Sequence, residues 1–135
     1  MFQIKNTYLG DLRTEAVHLS SQNKIITDAP LDNNGKGEAF SPTDLVCAAL
    51  ASCKMTIMGI VARRENLDLS SMTCEVQKIM TSQAPRKIHE IVVTFAMPNI
   101  ELTEKQREML KNAALTCPVA LSLDPQIKRT VNFNF

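Results

Sequence analysis

Tryptophan is absent and tyrosine occurs once, so aromatic residues make up only 4% of the 135-residue chain. A sequence this poor in rings carries no stacking platform for single-stranded nucleic acid. An excess of either charge is missing too: 15 Lys and Arg face 14 Asp and Glu, a formal net charge of +1. That removes the basic footprint of a duplex-binding module, and nucleic acid is excluded as a partner. There are only two histidines, and the four cysteines (Cys47, Cys53, Cys74, Cys117) form no Cys-x-x-Cys pair. No zinc spacing results, and neither metal nor organic cofactor is expected. Gly-x-Ser-x-Gly, paired-carboxylate and dinucleotide motifs are all missing. The turn-rich stretch from Asp32 to Gly37 lacks the Gly-Lys-Ser/Thr of a phosphate loop, which leaves a surface connection or a lid.

What is present is ordinary for a soluble globular protein: 44% hydrophobic and 21% charged residues. The length suits one domain over residues 1–135, large enough to hide roughly 68% of its unfolded surface without disulfides. The first ten residues, MFQIKNTYLG, lack the layout of a secretory signal. The expected compartment is therefore the reducing cytoplasm, where cysteines serve as core fillers or redox thiols. The apolar stretch from Leu45 to Ala62 approaches the length of a membrane span but carries Lys54 at its middle and many small residues. It is expected to be a buried helix, with no membrane as partner.

Along the chain, residues 2–9, 12–20 and 24–28 are expected as strands, the first two joined at Gly10-Asp11. Ser41-Pro42-Thr43-Asp44 is a helix start, with Ser41 as cap, proline at the first helical position and an acid three residues after the cap. No proline follows before Asn66, so the helix can approach 25 residues. That is about 37 Å, against a radius of gyration of roughly 14 Å for a domain of this size. Such a helix crosses the whole molecule, and its apolar circumference calls for a second copy of the chain to cover it. Residues 72–81 and 87–97 alternate as strands, with a turn at Ala84-Pro85-Arg86. Thr103–Leu115 is an amphipathic helix with a Thr103/Gln106 capping box, Val119–Leu123 a short second helix after Pro118, and Ile127–Phe135 a closing strand. The order βββ-α-ββ-αα-β predicts an α+β fold with mainly antiparallel pairing.

Among the cysteines, Cys53 is either a small core residue of the long helix or a reactive thiol. Cys117 lies before Pro118, where it can cap the next helix and where unpaired backbone N–H groups favour a thiolate. Cys47 points to another helix face than Cys53, about 240° around, and Cys74 faces inward on a strand; both are taken as structural. Arg13, in phase with Val17 and Leu19, is an edge-strand charge, a partner for Glu15, or a fixed cation that stabilises a thiolate. His18 and His89 have no distinctive neighbours.

Two segments carry a family resemblance. The run from Phe40 to Cys53, FSPTDLVCAALASC, resembles the helix signature of the OsmC/Ohr family (osmotically inducible protein C and organic hydroperoxide resistance protein). Thr116–Leu123, TCPVALSL, resembles that family's second cysteine motif. The separation of the two motifs and the element order fit as well, so the resemblance spans nearly the whole chain. It implies an OsmC-like fold with antiparallel sheets around a long central helix, in an intertwined homodimer with active sites at its interface.

It also implies a thiol peroxidase acting on a small hydroperoxide substrate without metal or flavin. Cys53 would be the peroxidatic thiol, Cys117 the resolving one, Arg13 the activating cation, and an external dithiol the reductant. Family peroxidases commonly carry a Glu ten residues before the reactive cysteine; here that position is Thr43. Glu38 and Asp44 are the nearby acids able to take its place. A family member that keeps the dimer but serves as a stress-associated or small-ligand-binding protein without turnover is the alternative.

Overall fold

The computed structural model describes all 135 residues, in the element order β1 (Ile4–Gly10), β2 (Arg13–His18), β3 (Lys24–Asp28), α1 (Pro42–Arg64), β4 (Thr73–Met80), β5 (Ile88–Ala96), α2 (Glu104–Leu115), α3 (Pro118–Ser122), β6 (Lys128–Phe133). The fold is α+β, with two three-stranded sheets ordered β1-β2-β3 and β4-β5-β6. The chain forms two compact units, Met1–Val46 and Cys47–Phe135.

The first unit is the β1-β2-β3 meander and the loop that follows it. All its pairs are antiparallel, and the β2–β3 register sets Arg13 directly opposite Asp28. A tight connection between β2 and β3, closed by His18 N donating to the Asn23 carbonyl at 2.8 Å, fixes that register. Strand β2 therefore ends at His18, two residues before the expected boundary. After β3 a single 3-10 turn, Leu31–Asn33, occupies the turn-rich stretch, and Asn34 and Gly37 take positive φ. Gly35 is required there: a Cβ would fall 1.8 Å from the Ala29 carbonyl oxygen.

The start of α1 follows its sequence signals. Ser41 Oγ accepts from Asp44 N at 3.0 Å and Asp44 Oδ2 accepts from Ser41 N at 3.0 Å, a reciprocal cap that satisfies two backbone donors. The helix ends at Arg64, two residues short of Asn66. Only one stripe of it is buried, Cys47, Leu50, Ala51, Lys54, Met58 and Ala62, at the three- and four-residue spacing of a single face.

In the second unit β4 and β5 form an antiparallel hairpin, and alternate residues of β5 (Ile91, Val93, Phe95) are at most 1% exposed. The expectation of antiparallel sheets is corrected at β6, which pairs parallel to β5 from Glu90↔Lys128 to Phe95↔Phe133. The cause is the connection: α2 and α3 intervene, and such a crossover returns the chain to run parallel to β5 on the side away from β4. Phe133 stacks on Phe95 at 5.6 Å between ring centroids. Helix α2 starts at the expected box, Gln106 N donating to Thr103 Oγ1 at 3.1 Å and Thr103 N to Gln106 Oε1 at 3.0 Å. Its inward stripe is Leu110, Ala113 and Ala114.

Candidate active site

The thiols come together in the second unit. Cys53 sits half-buried in α1, and Cys117 is the residue that caps α3, fully buried. Pro118 ends the α2 segment and opens α3, so the chain turns sharply at Cys117 and its extended backbone leaves Sγ free to accept from Ala120 N at 3.4 Å. The Cys53 side chain is near enough to Cys117 to act on its ionisation. No disulfide joins any of the four cysteines. Burial pushes the Cys117 thiol up from its ordinary value, the Ala120 N–H opposes this, and the hydrogen bond with Cys53 adds to the rise. Cys47 is buried on the core stripe of α1, and Cys74, on β4, is raised by burial alone.

Between the two thiols in the sequence order of α1 and α3 lies a residue that sequence reasoning used only as an argument against a membrane. Lys54 is 2% exposed, and its Nζ donates to the Ala114 carbonyl at 2.7 Å. Ala114 is in the last turn of α2, where carbonyls lack helical partners and the helix dipole favours a cation. Burial pulls the Lys54 amine below its ordinary range and Arg129 adds to this; negative charge on Cys117 or Cys53 opposes it. A pocket of about 440 Å³ opens beside this group, walled by Lys54, Leu115, Leu121, Leu123, Arg129 and Val131 among others. The Arg129 guanidinium is tied back to the Ala120 carbonyl. A second pocket, about 480 Å³, lies at the β4–β5 hairpin, and no cysteine lines either pocket. No group of three or more His, Cys, Asp or Glu side chains is placed to hold a metal ion.

In the first unit Arg13 is gripped by carboxylates. Its Nε and Nη2 donate to Asp28 Oδ1 and Oδ2 at 2.7 and 2.8 Å, a two-pronged contact, and Nη2 also reaches Glu38 Oε1 at 3.3 Å. Asp28 is fully buried and accepts in addition from Glu38 N at 3.1 Å. Sequence reasoning missed Asp28; the cross-strand register was the signal that could have found it. Glu38, one of the two acids near the Thr43 position, is the outer partner of the arginine. Asp44, the other, is engaged in the cap of α1, and Thr43 Oγ1 lies 3.2 Å from Ser41 Oγ.

The guanidinium holds the Asp28 carboxyl below the ordinary 3.8, against the opposing effect of burial. A depressed carboxyl stabilises the fold above its unfolded value and loses that contribution as pH falls through the native one. Asp28→Asn is therefore expected to melt lower than the wild type at neutral pH, with the gap closing below pH 3.8. Thermal melts at stepped pH check this, and a gap independent of pH would contradict it.

The OsmC family model, described as OsmC-like protein, matches residues 35–132. A solved structure from Psychrobacter arcticus 273-4, provisionally described as an osmotic stress induced and detoxification response protein, is 51% identical. It superposes with a TM-score of 0.94 over 99% of this chain and 96% of its own. An OsmC-like protein from Mycoplasma pneumoniae shares the fold at 19% identity and TM-score 0.78, covering 99% of this chain and 96% of its own. An organic hydroperoxide resistance protein OsmC from Legionella pneumophila does so at 12% identity and TM-score 0.75, covering 100% and 98%. No curated protein matches the chain. The chain belongs to the OsmC-like protein family.

Proposed function

We propose that this protein is a cytoplasmic thiol-dependent peroxidase that reduces organic hydroperoxides, with hydrogen peroxide as a second substrate. The observation that carries the reading is the meeting of Cys53 and Cys117 side chains, in a family whose solved members include organic hydroperoxide resistance proteins. Cys53, as thiolate, attacks the outer oxygen of the hydroperoxide; the O–O bond breaks, an alcohol leaves and Cys53 becomes a sulfenic acid. Cys117 attacks the Cys53 sulfur, the S–O bond breaks, and a disulfide and water result. An external dithiol then reduces the disulfide by two exchange steps.

The test is consumption of an alkyl hydroperoxide by the protein with dithiothreitol as reductant. A folded protein that consumes none is instead a stress-associated or small-ligand-binding member of the family. Arg13, by the family resemblance, serves the Cys53 thiolate, held by Asp28 and Glu38. Arg13→Met is expected to slow alkylation of Cys53 near pH 7, and an unchanged rate would return Arg13 to a purely structural role.

The active form is proposed to be a homodimer. Phe2, Ile4, Tyr8 and Leu31 of the first unit are 87%, 60%, 65% and 77% exposed, more apolar surface than an isolated small sheet leaves to water. The interface that covers it is expected to be of obligate-dimer size, more than about 2,000 Å² in total. Sedimentation at micromolar concentration should give twice the 15.0 kDa chain mass, and a folded monomer would contradict this.

A further inference from the structure

Lys54 is the one lysine buried in the fold, and the reaction just described gives it no task. That reaction has an unmet need on the same spot. Cys117 has to shed its proton before it can attack, yet it is fully buried, and the Ala120 N–H is its only backbone donor. The amine stands close by: Lys54 Nζ is fixed 2.7 Å from the carbonyl of Ala114, three residues before Cys117, and Lys54 and Ala120 line the same pocket. Resting on the peroxidase reading, we propose that Lys54 is the proton-transfer partner of Cys117 in disulfide formation.

The neutral amine takes the Cys117 proton and becomes an ammonium. The Cys117 thiolate forms the S–S bond with Cys53, the S–O bond breaks, and the departing hydroxide takes the proton from the ammonium. The products are the disulfide, one water and the neutral amine, so sulfenic acid and thiol supply every atom and electron. The charged and titratable groups around Nζ suit this cycle. Arg129 on β6 disfavours the ammonium in the resting site, whereas a thiolate at Cys117, or at Cys53 on α1, favours it. The ammonium and the Cys117 thiolate that the transfer creates thus stabilise each other. The fixed contact to Ala114 holds it in place in either protonation state only as a donor, which both amine and ammonium are.

Rapid-quench measurements with an alkyl hydroperoxide separate the two steps. In Lys54→Met and Lys54→Ala, trappable Cys53 sulfenic acid should form within about threefold of the wild-type rate. Disulfide formation should slow by about 100-fold, the low end of a general-base contribution. Added ethylamine, small enough for the pocket beside Nζ, should restore the disulfide rate of Lys54→Ala in proportion to its concentration. Normal disulfide rates in folded variants, or no rescue by the amine, would overturn the role of Lys54 while leaving the peroxidase reading intact. The disulfide rate of the wild type should level off at a lower pH than that of Lys54→Met or Lys54→Ala, and one shared midpoint would mean that Cys117 ionises unaided. Each variant gives this comparison independently, so one folded variant decides the matter. A wild type that forms no Cys53 sulfenic acid overturns the peroxidase reading and this one with it.

Discussion

Cys53→Ser is expected to bring hydroperoxide consumption down to the rate of dithiol and peroxide alone. The serine hydroxyl stays protonated at neutral pH and is a far poorer nucleophile than a thiolate, so the first bond is never made. The substitution changes one atom at a half-buried position of α1, away from the residues of its core stripe, so the fold should survive it. Hydroperoxide consumption and circular dichroism on the same sample check both halves of that statement. Cys47→Ser and Cys74→Ser, in contrast, should keep activity and lose at most some stability, because Cys47 belongs to the core stripe of α1 and Cys74 lies on β4. Full activity in Cys53→Ser would remove the thiol mechanism altogether.

The second large effect is a separation of steps. Cys117→Ser should consume one equivalent of hydroperoxide and then stop, with a sulfenic acid on Cys53 that dimedone labels or that excess peroxide oxidises further. Serine keeps the capping acceptor for Ala120 N, so α3 retains its start and the loss is chemical. Mass spectrometry after a single addition of peroxide should find the oxygen on Cys53. Continued turnover in Cys117→Ser at the wild-type rate would show that the external dithiol resolves the sulfenic acid directly.

Much of this architecture is written locally. Ser41 with Asp44 and Thr103 with Gln106 announce both long helices, because a cap is a contact between residues three apart and the sequence contains both partners. The alternation of Ile91, Val93 and Phe95 shows the buried face of β5 for the same reason. Cys117 before Pro118 was legible as a cap from its position alone. The features that escaped depend on distant partners. Asp28 grips Arg13 through a register set by the tight connection after His18, and drawing β2 to residue 20 hides the pairing. Lys54 looks like a stray charge on an apolar helix until Ala114, 60 residues on, supplies its acceptor. The parallel pairing of β6 follows from how α2 and α3 return the chain, which no periodicity within β6 encodes.

The central claim is that Cys53 and Cys117 are one redox pair, and peptide mapping of the oxidised protein tests it most directly. The protein is treated with one equivalent of alkyl hydroperoxide, alkylated, digested without reductant and analysed by mass spectrometry. The account predicts a single disulfide, Cys53 to Cys117, with Cys47 and Cys74 recovered as alkylated thiols. A bridge that contains Cys47 or Cys74, or peroxide consumed with no Cys53–Cys117 bond formed, would contradict it.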